Sequence, residues 1–285
     1  MKFNIIGLGR LGKNLALSLN THNHQLIAVC NRTFPSAKSA VETLKIGQAV
    51  SKPADLPAAA LILITSPDDQ IESIAIELAN NGFILPGCIV AHCSGVLASD
   101  VLKPLKDKGC YIASIHPLKA FRADHIEHDA FHDCHCVVEG DDEAVMFLNK
   151  YFTEMGAHII PIAASNKVAY HAAAVIASNY LVTLAHCSTT LLETIGFDEK
   201  TARTLIYQLM QSSMNNLHQT DSPAQALTGP LARGDTRTIQ QHLEAIHTPE
   251  IQALYRAAGL ATLPMIKQAN HVLLELSEKL SDKRW

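Results

Sequence analysis

Short apolar runs alternate with segments of helical spacing through the first half of the chain. The runs are 3–6, 25–30, 60–65, 89–93 and 111–115, each of a length suited to a buried strand. Between them, 11–19, 71–80 and 100–106 carry apolar residues at helical intervals. This rhythm predicts parallel β-α units, hence an α/β fold with a doubly wound sheet covered by helices on both faces. Two further strands, 134–138 and 158–161, flank a helical stretch at 143–155 and read as edge strands. From residue 166 onward the strand pattern stops, and 166–195, 199–217, 236–245, 249–268 and 272–280 read as helices. The expected division is a first domain over 1–163 and an all-helical second domain over 164–285. The helix over 166–195 is apolar on several sides, so it needs cover from more than one direction. Either homodimer packing or helices of the same chain would supply it.

The first strand-to-helix junction carries the stretch "GLGRLG", with Gly7, Gly9 and Gly12 spaced as in a dinucleotide-binding turn. Each glycine has a physical task. Gly7 permits the tight turn, Gly9 lets the backbone approach a pyrophosphate, and Gly12 lets the helix pack closely on the strand. Leu8, Arg10 and Leu11 complete the turn, whose helix start presents free N–H groups to phosphates. The second strand ends in "CNRT". Asn31, Arg32 and Thr33 offer a guanidinium and neutral hydrogen-bonding groups where an acid would select a free ribose 2′-hydroxyl, so NADP is the expected cofactor. Two later loops leave the same ends of their strands, "TSPDD" with Thr65, Ser66 and Pro67, and "CSGV" with Ser94 and Gly95. Their small residues either approach the nicotinamide half of the cofactor or cap the helices that follow.

Chemistry in the second half gathers in "NKVAYHAAAVIASNYL". At helical spacing Lys167, Tyr170, His171, Ala174 and Ser178 share one stripe, with Asn179 further round. Lys167 and His171, one turn apart beside alanines, form either a proton-donating surface or a solvated helix end. His116, at the end of a strand, either orients substrate or fixes the turn at Pro117. In "LTGPLARGD", Thr228, Gly229 and Arg233 are candidates to receive a substrate carboxylate or phosphate, with an Arg233–Asp235 clasp as the alternative.

Charge narrows the partners. The 285 residues carry a net charge of -4 with scattered Lys and Arg, which leaves no electrostatic footprint for nucleic acid and none for an acidic membrane surface. The longest unbroken apolar run, 58–64, is too short to cross a bilayer, and no export signal precedes the first strand. Seven cysteines without paired spacing point to reduced thiols and a cytoplasmic setting. The stretch "ADHIEHDAFHDCHC" holds His125, His128, His132, His135, Asp124, Asp129, Asp133, Cys134 and Cys136. Its spacing fits no familiar zinc pattern, so no metal is expected.

Through "GLGRLG", "HCSG", "HPLKAF", "KVAYHAAAVIASNY" and "LTGPLARGD", the whole chain resembles a family of bacterial Rossmann-like oxidoreductases whose helical C-terminal domain has no known function. More distantly, it resembles the superfamily of 6-phosphogluconate and β-hydroxyacid dehydrogenases, ketopantoate reductase and pyrroline-5-carboxylate reductase. Several of those enzymes use a Lys followed four residues later by an Asn on the first helix after the Rossmann domain. Here Lys167 is present and His171 replaces the Asn. The resemblance implies an oxidoreductase transferring hydride between NADPH and a small carbonyl or imine substrate. In that reading Lys167 donates a proton or polarises an oxyanion, His171 is its partner or an alternative general acid, and His116, Ser178 and Asn179 complete the site. The rival readings are a non-catalytic NADP-binding sensor or scaffold and a metal-assisted enzyme using the histidine-rich loop.

Overall fold

A computed structural model describes residues 1–80, 84–122 and 125–281. Eight strands form one sheet, β1 (Lys2–Ile6), β2 (Gln25–Cys30), β3 (Gln48–Val50), β4 (Leu61–Ile64), β5 (Ile89–His92), β6 (Tyr111–Pro117), β7 (His135–Gly140) and β8 (His158–Pro161). Their spatial order is β3-β2-β1-β4-β5-β6-β7-β8. The pairs from β3 to β6 are parallel, β7 runs antiparallel to β6, and β8 is parallel to β7. Helices α1 (Arg10–Thr21), α2 (Phe34–Leu44), α3 (Asp68–Asn80), α4 (Lys103–Lys106) and α5 (Asp142–Glu154) alternate with these strands. After β8 the chain is helical, with α6 (Lys167–Thr194), α7 (Glu199–Gln219), α8 (Pro223–Ala226), α9 (Pro230–Arg233), α10 (Thr236–Ala245), α11 (Pro249–Thr262) and α12 (Asn270–Ser281).

The central strands are continuous apolar runs because both faces of the sheet are covered. Every residue of β4 and β5 is buried. Phe3, Ile5, Leu61 and Leu63 point into one core with Leu15 and Leu19 of α1, while Ile6, Ile62 and Ile64 point into the other with Ile71 and Ala75 of α3. Asn4 is the polar exception at 0 % exposure, at an irregularity where β1 and β2 lose register between Phe3 and Asn4. Its side-chain amide donates to Pro57 O at 2.6 Å, and its Oδ1 accepts from Ala28 N at 3.1 Å, so the bulge leaves neither group unpaired.

The sequence pattern misses β3, in which Gln48 is exposed, Ala49 and Val50 are half-buried, and no alternation shows. It also runs the eleventh helix on to residue 268. The helix stops at Thr262 because Pro264 lacks the N–H that the next turn needs, and a 3-10 turn at Leu263–Met265 replaces it.

Two compact units result, Met1–Ser178 and Asn179–Trp285. The expected division lay at 163/164; the first turns of α6 instead belong to the sheet unit, into which Lys167 is buried. The second unit has its own small core of Ile239, Leu243, Leu276 and Leu280. Asp198 caps α7 by accepting from Thr201 N at 3.0 Å, and Asp235 caps α10 by accepting from Thr238 N at 3.0 Å. Among the described residues one helix, Ala164–Thr194, is long and apolar enough to cross a membrane by length and composition, with a mean hydropathy of 1.4. The run at 58–64 is the longest unbroken apolar stretch, while this helix is longer and apolar on average. Hydroxyls, Asn179 and His186 interrupt the long helix in sequence without making it polar.

Candidate active site

The glycine turn is built as its spacing predicts. Gly7 has φ +96°, and a Cβ there would lie 2.7 Å from Ser66 N. At Gly12 a Cβ would meet Gly7 O at 2.5 Å and Thr65 Oγ1 at 2.6 Å, so α1 crosses β1 and β4 as closely as backbone allows. Gly9 differs, since a Cβ there would meet nothing within 4 Å. It starts α1 without a side-chain cap, leaving open space before the free N–H groups of the first turn. Arg10 is exposed, Leu11 half-buried, and Leu8 buried at 4 % exposure.

The residues around this turn have separate tasks. Asn31 Oδ1 accepts from Leu8 N at 2.6 Å, tying the end of β2 to the turn. Thr33 caps α2 by accepting from Ser36 N at 3.4 Å. Arg32 is exposed and, among the described residues, has no ion pair or hydrogen bond, so its guanidinium is the group of the three free to meet a ligand. Thr65 donates to Gly7 O, and Ser66 Oγ donates to Ile6 O at 3.4 Å, so both hold the turn from β4. Pro67 is exposed at the start of the loop into α3.

Further along the same strand ends, α6 meets the loop after β5. The Lys167 ammonium is 2 % exposed and donates to Ser94 O at 2.9 Å and to Ser114 Oγ of β6. Burial lowers its pKa, with the Glu139 carboxylate acting in the opposite direction. Ser94 is itself committed, its Oγ accepting from Val96 N at 3.2 Å and Leu97 N at 3.0 Å. His92, at 0 % exposure, holds the loop from inside. Its Nδ1 accepts from Ser94 N at 3.2 Å and its Nε2 donates to Ala98 O at 3.1 Å. Burial pushes its pKa down to about 4, so the ring is neutral.

Two imidazoles close over this loop. His116 Nδ1 lies 2.7 Å from the Tyr170 hydroxyl, and the His116 and His171 rings stand edge to face at 5.5 Å. Burial, then the nearby His171 and Lys167 charges, push His116 down to about 4, while burial pushes the Tyr170 phenol up to about 12. A protonated phenol either donates to Nδ1, which puts the proton of the neutral ring on Nε2, or accepts from an Nδ1–H. The Nε2 edge faces Gly95, where a Cβ would lie 3.0 Å from His116 Nε2 and closer still to His171 Nδ1. Gly95 is thus required for the approach of both rings. His171 Nδ1 is buried and has no hydrogen-bond partner, a costly state for a polar atom unless something binds there.

Two family patterns match the chain, a Rossmann-like domain over residues 1–117 and the domain of unknown function DUF2520 over 134–262. The chain is a Rossmann-like domain joined to a DUF2520 domain. No curated protein matches it. Among solved structures, it is similar to BF3122 from Bacteroides fragilis, a provisionally assigned NADP oxidoreductase, at TM-score 0.76 and 20 % identity over 90 % of this chain and 95 % of that one. Protein TM1727 from Thermotoga maritima gives TM-score 0.67 and 27 % identity, covering 97 % and 98 % of the two chains. The Plasmodium falciparum pyrroline carboxylate reductase, solved with NADP bound, gives 0.58 and 14 % identity over 98 % and 95 %.

Set against these boundaries, the imidazole cluster draws on both segments. Ser94, Gly95, Ser114 and His116 belong to the Rossmann-like domain, whereas Lys167, Tyr170 and His171 belong to the DUF2520 domain. Ser178 is exposed at the end of the first unit, and exposed Asn179 begins the second. Thr228, Gly229 and Arg233 lie in the second unit. Asp235 bonds Thr238 as a helix cap, and no Arg233–Asp235 ion pair forms among the described residues. In the histidine-rich stretch, Asp133 lies 3.2 Å from His132 and 3.4 Å from His158 of β8. Among the described residues no three His, Cys, Asp or Glu side chains are grouped to hold a metal ion, and Asp124 lies outside the described residues.

The sequence reading passed over His92 and Ser114, and gave Tyr170 no role. His92 stands in the "HCSG" motif, but only the loop geometry shows that its ring works from within the fold. Ser114 sits mid-strand, where nothing in the pattern separates it from a core position.

Proposed function

We propose that the protein is an NADP-dependent oxidoreductase that transfers hydride between NADPH and a small carbonyl or imine substrate. The observation that carries this reading is the pairing, on one sheet edge, of an open Gly9 turn with an unpartnered His171 Nδ1. A dinucleotide fits the turn. Gly7 and Gly12 admit no side chain, Gly9 leaves the approach free, and α1 begins with N–H groups lacking a side-chain cap. Arg32, without an acidic partner, suits a ribose 2′-phosphate. When bound, the cofactor supplies the hydride chemistry. The likeness of fold to BF3122 and to an NADP-bound reductase supports the same class.

The chain's own residues then divide the work. His116 presents its Nε2–H over Gly95, where the neutral ring donates a hydrogen bond that polarises the substrate oxygen or nitrogen, and the proton taken up in reduction comes from solvent. Tyr170 holds the other ring nitrogen and so fixes both the tautomer and the ring plane. His171 Nδ1 gains from the substrate the partner it lacks. Lys167, expected from sequence to meet the substrate, is buried and bonded to Ser94 and Ser114; in this reading it positions the Ser94–Gly95 loop. Its charge also favours a neutral His116 and stabilises developing negative charge nearby.

The test is a panel of small oxo acids and cyclic imines read by loss of nicotinamide absorbance. With a substrate in hand, His116→Asn should lower turnover on the order of a hundredfold and leave NADPH affinity nearly unchanged. Binding of NADPH without turnover of any member would favour a sensor and sink the catalytic reading. Full activity of His116→Asn would remove the hydrogen-bond assignment.

A further inference from the structure

Two thiols meet where β7 begins. Cys134 and Cys136 stand two residues apart, which at strand spacing turns both side chains to one face. The Cys136 sulfur lies 4.0 Å from Cys134 O, and its thiol hydrogen-bonds the Cys134 sulfur. At the rise of a strand such a pair has its Cα atoms about 6.6 Å apart, inside the ~6.8 Å that a disulfide bridges. A bridge this close to the limit is strained, so thiols reduce it readily.

The surroundings make Cys134 the nucleophile of the two. The hydrogen bond from Cys136 lowers its pKa most; burial opposes this, and the Lys119 ammonium and the Leu118 N–H add to the lowering. Lys119 is held in place by Glu127 Oε2 at 2.6 Å and Ala130 O at 3.0 Å. Other buried thiols are in the opposite state. Burial pushes Cys30 and Cys110 up to about 11, and Cys88 and Cys93 up to about 12, so they keep their protons. The Cys136 pKa is raised too, chiefly by its bond to Cys134, as suits the group that supplies the hydrogen. Access then selects the oxidant. With Cys134 6 % and Cys136 0 % exposed, a bulky disulfide has no line of approach to either sulfur, whereas hydrogen peroxide is little larger than water.

We propose that Cys134 is a peroxide-reactive thiol and that Cys136 resolves its oxidised form into a Cys134–Cys136 disulfide. The Cys134 thiolate attacks one oxygen of hydrogen peroxide, the O–O bond breaks, and the hydroxide released takes up a proton to become water, leaving a sulfenic acid. The Cys136 sulfur then attacks the Cys134 sulfur, the S–O bond breaks, and the hydroxyl departs as water with the Cys136 proton. The two thiols lose two electrons and the peroxide gains them. The bridge forms beside the candidate site. Cys136 pairs in register with Pro117, and negative charge on either sulfur adds to burial in raising the Tyr170 pKa. The proposal rests on the thiols alone and holds independently of the NADP reading.

The test treats the full chain with a small excess of hydrogen peroxide at pH 7, blocks the remaining thiols with N-ethylmaleimide and digests with trypsin. Residues 123–150 form one tryptic peptide that contains Cys134 and Cys136 and no other cysteine. That peptide should lose both maleimide sites and two hydrogens, and recover them after dithiothreitol. Its oxidation should run about tenfold faster than that of Cys187, although Cys187 is the more exposed thiol. Cys136→Ser should stop at a Cys134 sulfenic acid that dimedone captures. If this variant does not fold, dimedone added to the wild type at short times replaces it, and should mark Cys134 rather than Cys136. Faster oxidation of Cys187, dimedone on Cys136, a Cys93–Cys136 bridge, or a peptide that reacts only after unfolding in urea would overturn the proposal.

Discussion

The two compact units make opposite use of apolar residues. In Met1–Ser178 the sheet buries its strands on both faces, and even polar side chains inside it, Asn4, His92 and Lys167, are 0–2 % exposed and hydrogen-bonded. In Asn179–Trp285 the largest apolar cluster has only four fully buried members, while the longest helices keep theirs at the surface. Burial in the first unit sets the state of its polar groups, keeping the His92 and His116 rings neutral while Ser94 and Ser114 hold the Lys167 ammonium. Helix α6 runs through both, with its first turns in the sheet unit and the rest in the helical one.

Acid should separate the units most strongly. His92 is fully buried, and its folded pKa near 4 lies below the ordinary 6.5. Between those values the unfolded chain binds a proton that the folded chain does not, so stability present above pH 6.5 is lost as the pH falls toward 4. For His92 the loss is on the order of 3 kcal/mol, and His116 acts in the same direction. The second unit relies instead on the caps Asp198 and Asp235, whose carboxyl groups are held below the ordinary 3.8 by bonds from Thr201 and Thr238. Their stabilisation persists until the pH drops below that value. Segment-resolved hydrogen exchange at pH 7 and pH 5 should therefore show the β5–β6 region weakening while the α7 and α10 starts hold. Equal weakening of both units would break the contrast.

A smaller effect comes from the turn that needs glycine for space. Gly12→Ala places a methyl group 2.5 Å from Gly7 O, and overpacking of this kind costs about 1–3 kcal/mol. Gly9→Ala meets nothing in the protein, so thermal melts should show it unchanged, and calorimetry should show weaker NADPH binding where the methyl enters the phosphate approach. Equal melting of both variants would mean that α1 does not pack as closely as described.

Much of the first unit was legible in the chain. Buried parallel strands must be short apolar runs, and Gly7 and Gly12 are glycines for reasons that spacing alone conveys. Three of the stripe residues, Lys167, Tyr170 and His171, also turn one way, as helical periodicity requires. What the pattern did not carry was depth. Periodicity puts Lys167 and His171 on the same stripe but does not say that the ammonium is consumed by Ser94 and Ser114, nor that Gly95 lets His116 and His171 approach each other. Those facts depend on where β5 and β6 lie beside each other, a contact between distant parts of the chain. The reversal of β7 and the three-residue β3 were equally invisible, since strand direction and short edge pairing leave no local signature.

The central claim is that the turn over 7–12 and Arg32 hold the 2′-phosphorylated dinucleotide. Calorimetric titration of the full chain with NADPH and with NADH, repeated on Arg32→Ala, tests it most directly. NADPH should bind at least tenfold more tightly than NADH, about 1.4 kcal/mol, and Arg32→Ala should erase most of that preference. Equal affinities in the wild type, or no binding of either nucleotide, would contradict the account.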